Sequence, residues 1–131
     1  MIDELYETIG GRDTVTEAIR LFYSRVLQDE SLRHFFVSAD MTKLREGQSM
    51  FISMLLGGRI VYTGRDIGAA HEKVRALGLN DAHFQAFLIH FRAALAEVGV
   101  ANETADQIVQ LLETKRSSVL KSQQIATTAG D

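Results

Sequence analysis

The sequence predicts an all-α fold, and three observations carry the prediction. Apolar residues recur at three- and four-residue steps, the segments lack the two-residue alternation of half-buried strands, and glycine punctuates the chain where each helical stretch runs out. Proline is absent, so turns fall to the 10 glycines and to Asn, Asp, Ser and Thr. Glycines at Gly10-Gly11, Gly57-Gly58, Gly64 and Gly78 divide the chain into its helical segments.

The first clear helix covers Thr14–Gln28, where Val15, Ile19, Phe22 and Val26 form a stripe and Asp13 or Thr14 stands where a cap is needed. Tyr23 lies beside that stripe, and its default reading is an amphipathic residue with the hydroxyl at the rim. Asp29 to Phe36 reads as a short connection ending in the pair Phe35-Phe36. Asp40 is placed to cap a helix running to Leu56, which Gly57-Gly58 ends. Thr63-Gly64-Arg65-Asp66 reads as a loop leading into a shorter helix, with Ile67, Ala70, His71 and Val74 on one face before Gly78. Asn80 is placed to cap a long helix with Phe84, Phe87, Leu88, Phe91, Leu95 and Val98 on its core face. Asn102 is placed to cap a last helix carrying Ile108, Leu111, Leu112 and Val119. The expected organisation is one domain over 1–122 and a flexible tail over 123–131, since SQQIATTAGD has no apolar stripe to dock.

Composition narrows the chemistry. In 131 residues there are 14 Lys and Arg against 17 Asp and Glu, a formal net charge of −3, with no basic run able to track a phosphate backbone. Nucleic acid is therefore not expected as a partner. No cysteine is present, which excludes disulfides, thiolate metal sites and cysteine nucleophiles, so a metal here would rest on His or carboxylate. The amino terminus carries acids where a signal peptide needs cations, and no apolar run approaches the roughly 18 residues of a spanning helix. The expectation is a cytoplasmic protein with no membrane partner. The double glycines lack the Lys-Ser/Thr of a phosphate loop, no GxSxG motif occurs, and no pair of acids suggests a catalytic carboxylate site.

Two residues interrupt the apolar faces. The stripe of the helix after Asp40 reads Met41, Leu44, Gln48, Phe51, Ile52, Leu55, with an amide at one step. Burying an amide without a hydrogen bond costs about 1–3 kcal/mol, so Gln48 should face another polar side chain or a bound polar ligand, unless it sits at the helix margin partly wetted by solvent, the reading the stripe alone favours. His71, flanked by Ile67, Ala70 and Val74, points inward, and periodicity leaves open whether it is a core residue or a metal ligand. His34, His83 and His90 occupy a connection, a first helical turn and the flank of an apolar face, and no histidine pair has a metal-site spacing such as HExxH.

In order along the chain stand LYETIGG, FYSRVLQDESLRHFF, DMTKLREGQSMF, LLGG, YTGRDIGAAH, GLNDAHF, and GV before the final helix. This ordered set, from about Leu5 to Leu120, resembles the truncated haemoglobins of the first group. The resemblance implies a two-over-two helical sandwich enclosing haem, with His71 at the position of the proximal iron ligand. It puts Tyr23 and Gln48 at distal positions, where a phenol hydroxyl and an amide N–H both donate to a bound gas. Leu44 lies one turn before Gln48 at the distal mouth. Phe36 matches the aromatic wedged against the haem face, with Phe35 its neighbour. Phe51, Ile52, Phe84 and Phe87 are expected wall residues, and Arg65 can reach a haem propionate. Some relatives supply a second iron ligand from the helix holding Gln48, where this chain has Gly47. Some attach haem through a histidine in the last helix, and here none follows His90. Noncovalent haem b is thus implied, with dioxygen, nitric oxide and carbon monoxide as ligands. The family chemistry includes oxidation of nitric oxide when an external reductase restores ferrous iron. The rival expectation is a haem-free helical interaction module in which His71 and Gln48 are structural.

Overall fold

The structure, a computed structural model, describes residues 2–57 and 76–120. Seven α-helices occur among them, with no strand: α1 Ile2–Ile9, α2 Gly11–Gln28, α3 Glu30–Arg33, α4 Met41–Leu55, α5 Asp81–Glu97, α6 Asn102–Glu113 and α7 Arg116–Leu120. A 3-10 turn, His34–Phe36, follows α3 directly. The expected helix around His71, the loop holding Arg65 and the tail 123–131 lie outside the described residues.

The sequence reading assigns no element to the stretch that forms α1. It also starts the next helix late, because α2 begins at Gly11 and Asp13 sits inside its first turn rather than capping it. Gly10 makes this start possible. Its φ of 111° is a backbone state L side chains rarely adopt, and a Cβ there would run into the Thr14 hydroxyl. Asp40 and Asn80 cap as expected, accepting from the backbone N–H of Lys43 and His83. At α5 the cap is reciprocal, since His83 Nδ1 accepts from Asn80 N–H at 3.1 Å. Asn102 is not a cap. It is the first residue of α6, whose N-cap is Ala101 without a side-chain bond. The last expected helix is also two helices: the Thr114 hydroxyl donates to the Leu111 carbonyl at 2.6 Å where α6 ends, and α7 starts at Arg116.

The helices pack as a two-over-two sandwich, with α2 against α4, α5 against α6, and α2 crossing α5. The core is the sum of their inward stripes: Val15, Ile19 and Val26 from α2, Ile52 from α4, Phe91 and Leu95 from α5, and Ile108 from α6. Side chains this buried lose about 2–5 kcal/mol when cut to alanine, so the sandwich, more than helix propensity, holds each helix. Two ties flank it. Tyr6 N–H donates to the Leu56 carbonyl at 3.2 Å, joining α1 to the end of α4. Arg116 binds Asp81, Gln85 and Glu113 and lies 4.7 Å from the centre of the Phe84 ring, joining α7 to α5.

Candidate functional site

Tyr23 is the residue whose placement departs most from its default reading. The inward face of α2 is wide enough to take Phe22 and Tyr23 together, and Tyr23 is 4 % exposed instead of standing at the rim. Its ring meets Phe22 edge to face at 4.9 Å and Phe36 at 5.7 Å. Its hydroxyl makes no hydrogen bond to any described residue. Burial pushes the phenol well above its ordinary range, with the Arg45 guanidinium pulling weakly the other way, so the group keeps its proton and remains a donor at neutral pH. Among the described residues no fully buried side-chain N or O lacks a partner, so this hydroxyl is not sealed in but keeps access to open space, where a ligand can reach it.

The α3 and 3-10 pair carries Phe35 and Phe36 onto α5. Phe36 lies 6.1 Å from Phe87 and Phe35 6.3 Å from it, and Phe87 reaches Phe22 at 6.0 Å. Tyr23, Phe35, Phe36 and Phe87 therefore form one connected set of rings. On α4, Phe51 and Ile52 are buried in the same core, while Leu44 and Gln48 are half-buried on the face they share with it. The Gln48 amide also makes no hydrogen bond among the described residues. Gly47, on the next step of α4, leaves open space, for a Cβ added there meets nothing within 4 Å.

Phe84 is not brought to this set. It packs with Leu88 and Leu120 in a separate cluster and meets Arg116, while Phe87, one position before Leu88 on the same helix, joins the ring set. His71 and Arg65 lie outside the described residues. The other histidines have structural roles or none: His83 closes the α5 cap, His90 pairs with Asp29, and His34 is exposed, its ring 4.0 Å from Phe35. Among the described residues no group of three or more His, Asp or Glu can hold a metal ion.

Sequence reasoning missed Arg45 and the Asp29–His90 pair. Arg45 adjoins Leu44 and is half-buried, which a stripe count assigns to solvent. Asp29 directly after α2 and before Ser31 was a legible N-cap signal, while its partner on α5 had none. The Asp29 carboxyl is held down at about 2, first by the hydrogen bond from His90 and then by those from Ser31.

The residues fit a flat, apolar prosthetic group that carries a polar ligand. They offer rings and aliphatic side chains for walls, one clear step on α4, and two donors, Tyr23 and Gln48, that make no hydrogen bond among the described residues.

Comparison with known proteins points the same way. The profile of the bacterial-like globin family matches residues 4–121. A group 1 truncated haemoglobin of Tetrahymena pyriformis is 34% identical over 116 residues, covering 88% of this chain and 93% of its own. Another, from a Synechocystis species, is 41% identical over 105 residues, covering 79% of this chain and 85% of its own. The crystal structure of the ferric truncated haemoglobin of Tetrahymena pyriformis superposes with a TM-score of 0.82 at 34% identity, over 88% of this chain and 97% of that one. A 2/2 haemoglobin from a Synechococcus species, in the cyanomet state and with covalently attached haem, gives 0.84 at 35% identity, over 89% and 98%.

Proposed function

This chain belongs to the bacterial-like globins, and within them to the group 1 truncated haemoglobins, and from that premise we propose that it holds haem b noncovalently and binds dioxygen reversibly beside Tyr23 and Gln48. The observation that carries the proposal is Tyr23: a buried ring in a wall of aromatics, whose protonated hydroxyl makes no hydrogen bond among the described residues.

In this reading His71 is the protein ligand to iron, Leu44, Phe35, Phe36, Phe51, Ile52 and Phe87 line the pocket, and Arg65 meets a propionate. Phe84 is left out of the lining, because its ring is engaged by Arg116. Noncovalent binding follows from the absence of any histidine after His90. When bound, haem supplies the ferrous iron that carries the gas. The chain's own part is polar and steric. Tyr23 and Gln48 donate hydrogen bonds to the gas, and the rings around Tyr23 limit the water that would compete for its hydroxyl. Two donors aimed at a ligand with partial negative charge give slow release and therefore high affinity. Nitric oxide and carbon monoxide fit the same site. Oxidation of nitric oxide to nitrate at this site would need one electron per turnover from an external reductase, since the chain has no flavin or nicotinamide motif of its own. Among the described residues no helix is long and apolar enough to cross a membrane.

The test is the absorption spectrum of the purified, haem-supplied protein and of its His71→Ala variant. An intense Soret band that the variant loses supports the reading. No band in either returns the haem-free helical module, and a variant with an unchanged histidine-ligated spectrum refutes the role of His71.

A further inference from the structure

The elbow between α2 and α3 is built on one carboxylate. Asp29 closes α2 and caps α3, its Oδ1 accepting from the Ser31 N–H at 2.9 Å and from the Ser31 hydroxyl at 2.7 Å. A cap needs one oxygen. The other, Oδ2, lies 2.8 Å from Nε2 of His90 on α5, 61 residues away. The pair is largely shielded, with side-chain exposures of 20% for His90 and 26% for Asp29. Its carboxyl, held at about 2, is an ionised acceptor at every working pH, so the imidazole N–H always meets a full negative charge.

The elbow decides where the next rings fall. The 3-10 turn His34–Phe36 follows α3 without a break, so rotation at Asp29 swings Phe35 and Phe36 as one piece. Phe36 is the ring set edge-on against Tyr23, at 81° between planes, and it also touches Phe87. His90 stands on the same stretch of α5 as Phe87 and Phe91, both of which pack on Phe22, the neighbour of Tyr23. One helix thus carries both the imidazole that grips the elbow and the rings on which the elbow closes.

We propose that His90 is a positioning residue for gas binding: by gripping Asp29 it fixes the α2–α3 elbow, keeps Phe36 against Tyr23, and so directs the Tyr23 hydroxyl at the gas. The inference rests on the reading of Tyr23 as a donor given above. His90 acts only through Asp29 and Phe36 and touches no ligand itself.

The experiment uses the haem-loaded full chain, four single variants and the double variant that combines His90→Phe with Tyr23→Phe. His90→Phe keeps a ring and removes the N–H. Asp29→Ser keeps a good N-cap for α3 but is too short to reach His90, which keeps the test valid if His90→Phe folds poorly. His90→Gln retains an N–H able to reach Asp29. Tyr23→Phe removes the donor itself. Two quantities are read: dioxygen dissociation from the ferrous protein by stopped flow, and the C–O stretching frequency of the carbon monoxide complex, which senses a donor beside the gas. His90→Phe and Asp29→Ser are expected to release dioxygen about three- to tenfold faster, a partial loss of one hydrogen bond, and to move the C–O band toward that of Tyr23→Phe. His90→Gln stays within about twofold of the parent, and in the Tyr23→Phe background His90→Phe adds nothing further. If Tyr23→Phe speeds release while both elbow variants match the parent, or if the effects of His90→Phe and Tyr23→Phe simply add, the positioning role is overturned and the donor reading stands. If Tyr23→Phe leaves release unchanged, the donor reading falls and takes the positioning role with it.

Discussion

Removing one oxygen atom from Tyr23 separates what the residue does for the fold from what it does for the ligand. In Tyr23→Phe the ring contacts to Phe22 at 4.9 Å and Phe36 at 5.7 Å are kept, so no cavity opens. The lost hydroxyl has no hydrogen-bond partner among the described residues and only limited access to water, so removing it takes away no described contact and relieves part of a desolvation cost. The gas-free protein should therefore be as stable as its parent or more stable by about 1 kcal/mol, a rise of about 3 °C in Tm for a chain of this size. The gas-bound protein loses a donor to a partly charged ligand, worth about 1.5–3 kcal/mol, so dioxygen should leave about 10- to 150-fold faster. Thermal unfolding of the gas-free protein and stopped-flow dissociation of the ferrous dioxygen complex measure the two effects separately. A variant that unfolds several degrees earlier yet releases dioxygen at the parent rate would show that the hydroxyl serves the fold, and the reasoning from its missing partner would be refuted.

Gln48→Leu is expected to speed dioxygen release by a smaller factor, about three- to tenfold, because the half-buried amide has water competing for its N–H. Equal or larger loss than in Tyr23→Phe would reverse that ranking. Gly47 has neither a positive φ nor a neighbour within 4 Å of an added Cβ, so Gly47→Ala should stabilise α4 by about 0.5–1 kcal/mol in chemical denaturation. With no side chain at that step to reach the iron, the gas-free ferrous protein should show a five-coordinate resonance Raman spectrum, and a six-coordinate low-spin spectrum counts against the assignment. Acid should expose the Asp29 pair with a definite sign. A carboxyl lowered to about 2 stabilises the fold fully above its unfolded value near 3.9 and loses that contribution as pH falls toward 2. Asp29→Ser should thus lag its parent by about 1 kcal/mol at pH 6, discounted for partial exposure, and the gap should begin to narrow below about pH 4 and vanish as pH approaches 2. A gap that does not vary with pH would show that charge is not what stabilises the elbow.

What the sequence determined by itself is local. Helix class, the capping starts at Asp40 and Asn80, and the stop at Gly57 follow from periodicity and from backbone groups that need a partner within three residues, and all are legible in a short window. The failures at Gly11 and Asn102 are also local, since a positive-φ glycine can begin a helix and an asparagine can sit in its first turn with no capping bond. The candidate site was legible only in part. Gln48 announced itself as an amide in an apolar stripe, whereas Tyr23 looked ordinary, and periodicity left His71 open until the family resemblance gave it a register. Tertiary structure alone decided that Tyr23 is buried, that Phe36 and Phe87 close around it while Phe84 faces Arg116, and that Asp29 answers to His90. The reason is distance along the chain. Each of these facts depends on how α2, α4 and α5 cross, and a crossing is set by the shapes of whole faces rather than by any window of residues that a periodicity can read.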